Sequence, residues 1–192
     1  MTTSNSYHRW MTAITFVLSL ATAMAAHSLT ALAETPAAYM QRVQNELIGA
    51  QRVGTVAAYA NVLRKHMDVP AIGITALGPH AAALPKSERP AYYNGMISFI
   101  SKYAATEAPK YPVVSAVVTG QGADGSVDSR LTLQSGDTYD IRWKLVRSGS
   151  SYKVRDAQVA GFWMTSFLDN LFQNYIADNG NNPRALVLAL NH

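Results

Sequence analysis

The stretch from Tyr139 to Ile176 constrains the fold more than any other part of the chain. Tyr139, Ile141, Trp143 and Leu145 alternate with Asp140, Arg142 and Lys144, the period of a strand with one dry face and one wet face. Ser148-Gly149-Ser150 supplies a turn, and Tyr152 to Val159 runs back. Gly161 ends that strand, and from Met164 the period changes. Met164, Phe167, Leu168, Leu171, Phe172, Tyr175 and Ile176 fall on one helical stripe, with Thr165, Ser166, Asp169, Asn170, Gln173 and Asn174 opposite. A helix this rich in aromatics, laid on the dry side of a sheet, gives either a thick core or an apolar pocket.

Residues 1–33 read as a secretory signal peptide. Arg9 is basic, Trp10 to Ala33 carries no charge, and Ala31-Leu32-Ala33 forms a small-residue cleavage site before Glu34. The most apolar part, Ile14 to Ala26, is short for a span of about 20 residues. Ala23-Met24-Ala25 offers a second cleavage point. Residues 34–192 are then expected to form a single domain with a real core. Its net charge is +3, from 15 basic and 12 acidic side chains. That fits weak attraction to anionic surfaces, and without a dense Lys/Arg run it is no nucleic-acid footprint. With no cysteine, the chain has no disulfide framework, no thiol nucleophile and no site for an N-terminal lipidated Cys, so the mature protein is expected to be soluble.

The order of elements gives the fold class. Thr35-Pro36 starts a helix whose stripe Met40, Val43, Leu47 stops near Gly49. A second helix covers Gly54 to Lys65, and Asp68-Val69-Pro70 opens a third that ends at Gly78-Pro79. Ser87 is placed to cap a fourth, with Tyr92, Tyr93, Met96, Ile97, Ile100 and Tyr103 on its stripe, closing before Pro109. Val113 to Thr119 is apolar on both faces and reads as a well-covered strand. Asp124-Gly125 makes a hairpin turn into Val127–Leu133, and Gly136-Asp137 turns into the strand at Tyr139. Asn182-Pro183 caps a last helix. The sum is α+β: helices on one side of a curved, antiparallel four-stranded sheet, with NTF2-like character.

Reactive constellations are scarce. Of His8, His27, His66, His80 and His192, none has a second His or Cys at ligand spacing, so no metal site is expected. His66 beside Asp68 reads as a helix-end histidine next to an N-cap. No nucleophile elbow, dinucleotide fingerprint or phosphate loop occurs, and Gly122 to Gly125 is a turn without an acidic ladder. Asp128 and Asp140 sit in the wet register, where solvated carboxylates are the default, and Asp156 near the end of its strand is placed as a general base would be. Arg130, Arg142, Lys144, Arg147, Lys153 and Arg155 form either a solvated face or a basic rim for phosphate or an acidic partner.

Two long segments resemble a known family. Residues 66–103, HMDVPAIGITALGPHAAALPKSERPAYYNGMISFISKY, and residues 138–190, with their YDIRWKL strand, YKVRDAQVAG and Phe172 helix, are similar in order and spacing to the toluene-tolerance or MlaC family. The resemblance implies the periplasmic phospholipid-binding component of an ABC-type lipid transport system. It implies an apolar cavity for acyl tails with the head group outside. Its implied partners are an inner-membrane ABC transporter complex with its lipid-binding subunit and an outer-membrane lipoprotein complex. One branch of the family is associated with hopanoid biosynthesis. Phe162 and Trp163 stand where the family usually has a small aliphatic residue and a Ser, and Asp169 where an Arg is common. These departures point to a narrowed pocket or a flatter ligand.

The expectation is a monomeric lipid carrier with no cofactor and no catalytic group. Tail contacts are expected from Ile72, Leu77, Met96, Phe99, Ile100, Tyr103, Val117, Leu131, Trp143, Trp163, Met164, Phe167 and Phe172. Arg130, Arg142 and Lys144 are the candidates for head-group or partner contact. Three other readings stay open: a carrier of hopanoid or another polycyclic lipid, an NTF2-like enzyme with Asp140 or Asp156 as base, and an adaptor with a filled core.

Overall fold

The structure is a computed structural model that describes residues 34–192; the expected signal peptide and its two candidate cleavage points lie outside the described residues. Helix α1 (Pro36–Val53) begins where Thr35 Oγ1 accepts from Ala38 N–H. It runs through Gly49 and stops only at Gly54, a turn later than its apolar stripe implies. Helix α2 (Val56–His66) is capped by Thr55, and α3 (Val69–Leu77) by Asp68. A 3-10 turn at Lys86–Glu88 precedes α4 (Arg89–Glu107). The expected Ser87 cap is therefore absent: Ser87 lies inside that turn, and α4 starts without a side-chain cap.

The sheet follows as a meander of β1 (Val113–Gln121), β2 (Val127–Leu133), β3 (Thr138–Ser148) and β4 (Ser151–Val159), all antiparallel in sequence order. A two-residue fifth strand, β5 (Phe162–Trp163), was not foreseen. It pairs with Gln158 and Val159 across a tight turn in which Ala160 (φ 49°) and Gly161 (φ 85°) both take left-handed backbone, the conformation such two-residue turns demand. Helices α5 (Met164–Asp178) and α6 (Pro183–Leu190) complete the chain.

Strand β1 corrects a second expectation. It lies at the sheet edge, and Val114 and Val117 are more than half exposed instead of covered. Its outer backbone groups are met by two glutamines of α1. Gln41 Nε2 donates to Ala116 O at 2.8 Å and its Oε1 accepts from Val118 N–H at 3.1 Å. Gln51 makes the same pair of bonds with Val113 at 3.2 Å each. Two side-chain amides thus occupy part of the place of a missing strand.

Two apolar clusters form. One joins α3 to α6: Ile72, Ala76, Leu77, Leu84, Tyr92, Met96, Leu168, Phe172, Ile176, Leu186, Val187 and Leu190. Close approach is built into it at Gly73, where a Cβ would sit 2.9 Å from the Tyr93 ring; Tyr92 OH donates to Gly73 O at 2.9 Å. The other cluster lies where α1 crosses the sheet, with Tyr39, Met40, Val43, Val127 and Val154 at its centre and Trp143 packed against it.

Candidate functional site: an apolar cavity between the helices and strands β3 and β4

Between these elements lies a cavity of about 240 Å³ whose surface is almost wholly carbon. Helix α1 contributes Val43 and Leu47, and α2 contributes Val62, Leu63 and His66, followed by Met67. Ile72 comes from α3, and Phe99, Ile100 and Tyr103 from α4. The sheet side is Trp143, Val154, Asp156 and Ala157; α5 adds Met164, Thr165, Phe167 and Leu168. Three lining residues are also open to solvent: Tyr103 is 58% exposed, Phe167 53% and Met164 37%. They form an exposed apolar rim, continued along α5 by Leu171 and Tyr175.

Inside the rim residue Tyr103, the polar members of the wall are hydrogen-bonded within the protein. His66 Nε2 lies 2.9 Å from Glu46 Oε2 and Nδ1 3.1 Å from Tyr39 OH, so its partner is Glu46 and not the neighbouring Asp68. Burial pushes the His66 imidazole below its usual range and the Tyr39 phenol up to about 12. Burial also pushes the Glu46 carboxyl up, but hydrogen bonds and charge from Lys65 and His66 outweigh it and bring it down to about 2. Arg42 bridges Glu46 to Glu34 and holds the Glu34 carboxyl below its usual range. Asp68 instead caps α3 and pairs with Arg155 at 2.8 Å.

Asp156 reaches the wall through a bulge. Lys144 pairs with Asp156 and Leu145 with Val154, so Arg155 is the extra residue and the alternation of β4 shifts there. Its Oδ1 accepts from Ala157 N–H and Thr165 N–H, and Oδ2 from the Thr165 hydroxyl. Thr165 lies in the first turn of α5, whose own N-cap Trp163 offers no side-chain cap. Asp156 is a cap delivered from the sheet. Asp140, the other candidate base, is paired with Arg130 on the outer face. Among the described residues no group of three metal-ligating side chains occurs.

Of the thirteen residues expected to line a pocket, the structure brings seven together: Ile72, Phe99, Ile100, Tyr103, Trp143, Met164 and Phe167. The other six lie outside its wall. Leu77, Met96 and Phe172 are sealed in the helical cluster, because α3 and α6 close over that face of α4 and α5. Val117 is on the outside of the edge strand, and Leu131 on β2 lies outside the cavity wall. Trp163 lies under Lys144, whose Nζ is 3.8 Å from the ring centre, and Phe162 is 74% exposed. Neither narrows the cavity. Arg130 and Arg142 form two-pronged pairs with Asp140 and Asp128 along a shallow polar groove on the other face of the sheet. Their charge is already neutralised, and they do not face the cavity. Val43 and Leu47 of α1 were readable on an apolar stripe; nothing in the sequence alone aimed that stripe at a cavity.

The MlaC protein family matches residues 37–192. A solved structure of a phospholipid-binding protein from Ralstonia solanacearum, in complex with a phospholipid, shares the fold at TM-score 0.68 and 15% identity, over 81% of this chain and 94% of that one. No curated protein matches the chain.

Proposed function

Because the chain belongs to the MlaC family, we propose that it is a carrier that binds phospholipid acyl chains in this cavity. The observation that carries the reading is the cavity itself: a carbon wall whose His66, Asp156, Thr165 and Trp143 are hydrogen-bonded within the protein, opening at an exposed rim of Phe167, Tyr103 and Met164. A lipid that crosses water must hide its tails. Each buried methylene contributes about 0.8 kcal/mol, so one long chain is worth roughly 10 kcal/mol before the costs of ordering it. The tail contacts proposed are the seven expected residues that line the cavity, joined by Val43, Leu47, Val62, Leu63, Met67 and Leu168. The head group stays at the rim. Lys144, the one of the three candidate cations not tied to a carboxylate, is the proposed partner contact; like Arg142 it does not line the cavity.

In this reading residues 1–33 export the protein to the periplasm, where it shuttles phospholipid between the inner and outer membranes. Its partners there are an inner-membrane ABC transporter complex and an outer-membrane lipoprotein complex. The exposed stripe of α5 and the protruding Phe162 support such docking. A volume of about 240 Å³ lies below the ~300–1,000 Å³ of drug-sized sites, and suits a chain threaded in by methylenes better than a rigid fused-ring lipid.

Native mass spectrometry of protein purified without detergent, with organic extraction of the bound material, tests the proposal. A stoichiometric phospholipid is expected. Phe167→Asp is expected to stay folded and to lose that lipid. A protein that stays empty even after incubation with phospholipid vesicles sinks the reading.

A further inference from the structure

We infer that Trp143 is the partition that limits which hydrocarbon chains the cavity accepts, an inference that rests on the carrier reading. The cavity takes wall residues from five helices and from β3 and β4, but none from β1 or β2. Trp143 is its sole residue from β3. In register Trp143 stands beside Val127 of β2 and Ala157 of β4. Its Nε1–H donates to the hydroxyl of Ser129 at 2.8 Å, two residues along β2 from Val127. The indole therefore crosses the β2–β3 boundary diagonally, with the cavity over β3 and β4 on one side and the inward face of β2 on the other.

The hydrogen bond makes this a fixed wall. Ser129 is 0% exposed, so its hydroxyl and the indole N–H satisfy one another where water does not reach. A ring held at its nitrogen loses the freedom to swing aside for a chain, as a phenyl or leucyl group in the same place would. Behind it Trp143 packs against the cluster of Val127, Val43 and Val154. Removing the indole extends the cavity into the place the ring now fills, toward Ser129. The accepted chain becomes longer, or a second chain enters.

The test is a titration with saturated lysophosphatidylcholines of increasing chain length, below their micelle concentrations. Wild-type affinity should rise about fourfold per added methylene (~0.8 kcal/mol) and then level off where the cavity ends. In Trp143→Ala the levelling point moves to longer chains, and native mass spectrometry of vesicle-loaded protein shows more chain mass per protein. A residue that merely supports the fold would lower the melting temperature and leave the levelling point in place. An unmoved levelling point in folded Trp143→Ala overturns the inference and leaves the carrier reading standing. Should that variant fail to fold, Trp143→Phe decides: a smaller shift to longer chains supports the partition, and no shift overturns it. Wild-type protein that binds no member of the series removes the carrier reading and this inference together.

Discussion

Two sets of large apolar side chains sit a turn or two apart on α4 and α5 and meet opposite fates. Tyr92, Met96 and Phe172 are at most 1% exposed, with the Tyr92 and Phe172 ring centres 6.2 Å apart, edge to face. Phe99, Ile100 and Phe167 border a void. Phe99 belongs to both regions, since its ring is 6.0 Å from Phe172 and also lines the cavity. Composition does not separate the two sets. What differs is cover: α6 lays Leu186, Val187 and Leu190 over the first, and no seventh helix exists among the described residues to cover the second. Aromatic abundance marks a place where much apolar surface must go, and the neighbouring elements decide whether it closes.

The sharpest way to break this contrast is Phe172→Ala. Truncating a sealed aromatic should cost about 3–5 kcal/mol, read by urea unfolding. Phe167, half in solvent, should move stability by under about 0.5 kcal/mol when cut to Ser while lipid occupancy falls. Equal costs at the two positions would erase the distinction between core and cavity wall. Asp156→Ala comes next, at about 2 kcal/mol, because it leaves the first turn of α5 uncapped beside the cavity. Amide exchange at Thr165 should accelerate more than at Tyr92; a uniform change would mean that α5 is held by packing alone.

The smallest effect concerns pH. His66 is depressed in the folded protein, so the unfolded chain binds the extra proton first, and stability is full above the ordinary 6.5 and declines as pH falls below it. Glu46, lowered from 4.5 to about 2, adds a second loss across that interval. The groups facing this pair are Tyr39 and Arg42 on α1 and Lys65 on α2. Melting temperature followed from pH 7.5 to 5 should fall in the wild type, through His66, and flatten in His66→Gln. A slope unchanged by the substitution would place the titrating group elsewhere.

Periodicity made much of this molecule legible. The alternation in Val127–Leu133 and around Trp143, the helix at α5, and the caps Thr35, Asp68 and Asn182 all hold in the structure. Where reading failed, the cause was long-range. A run of valines looks the same on a covered strand as on an edge, so the exposure of Val114 and Val117 was invisible. The bulge at Arg155 breaks the alternation by one residue, and with it any inference about where Asp156 points. The stripe of α5 spans a wide arc whose one flank is sealed and whose other flank is bare. Helical phase alone treats Phe172 and Phe167 as equals.

The glutamine contacts between α1 and β1 carry a last consequence. The sheet stops growing because two amide side chains, Gln41 and Gln51, occupy hydrogen-bonding positions that another polypeptide would otherwise seek. Should α1 lift, the freed margin would present Val114 and Val117 beside unpaired peptide groups, a seed for fibrillar growth. The first helix thus also covers a sheet edge that would otherwise be open to pairing with another chain.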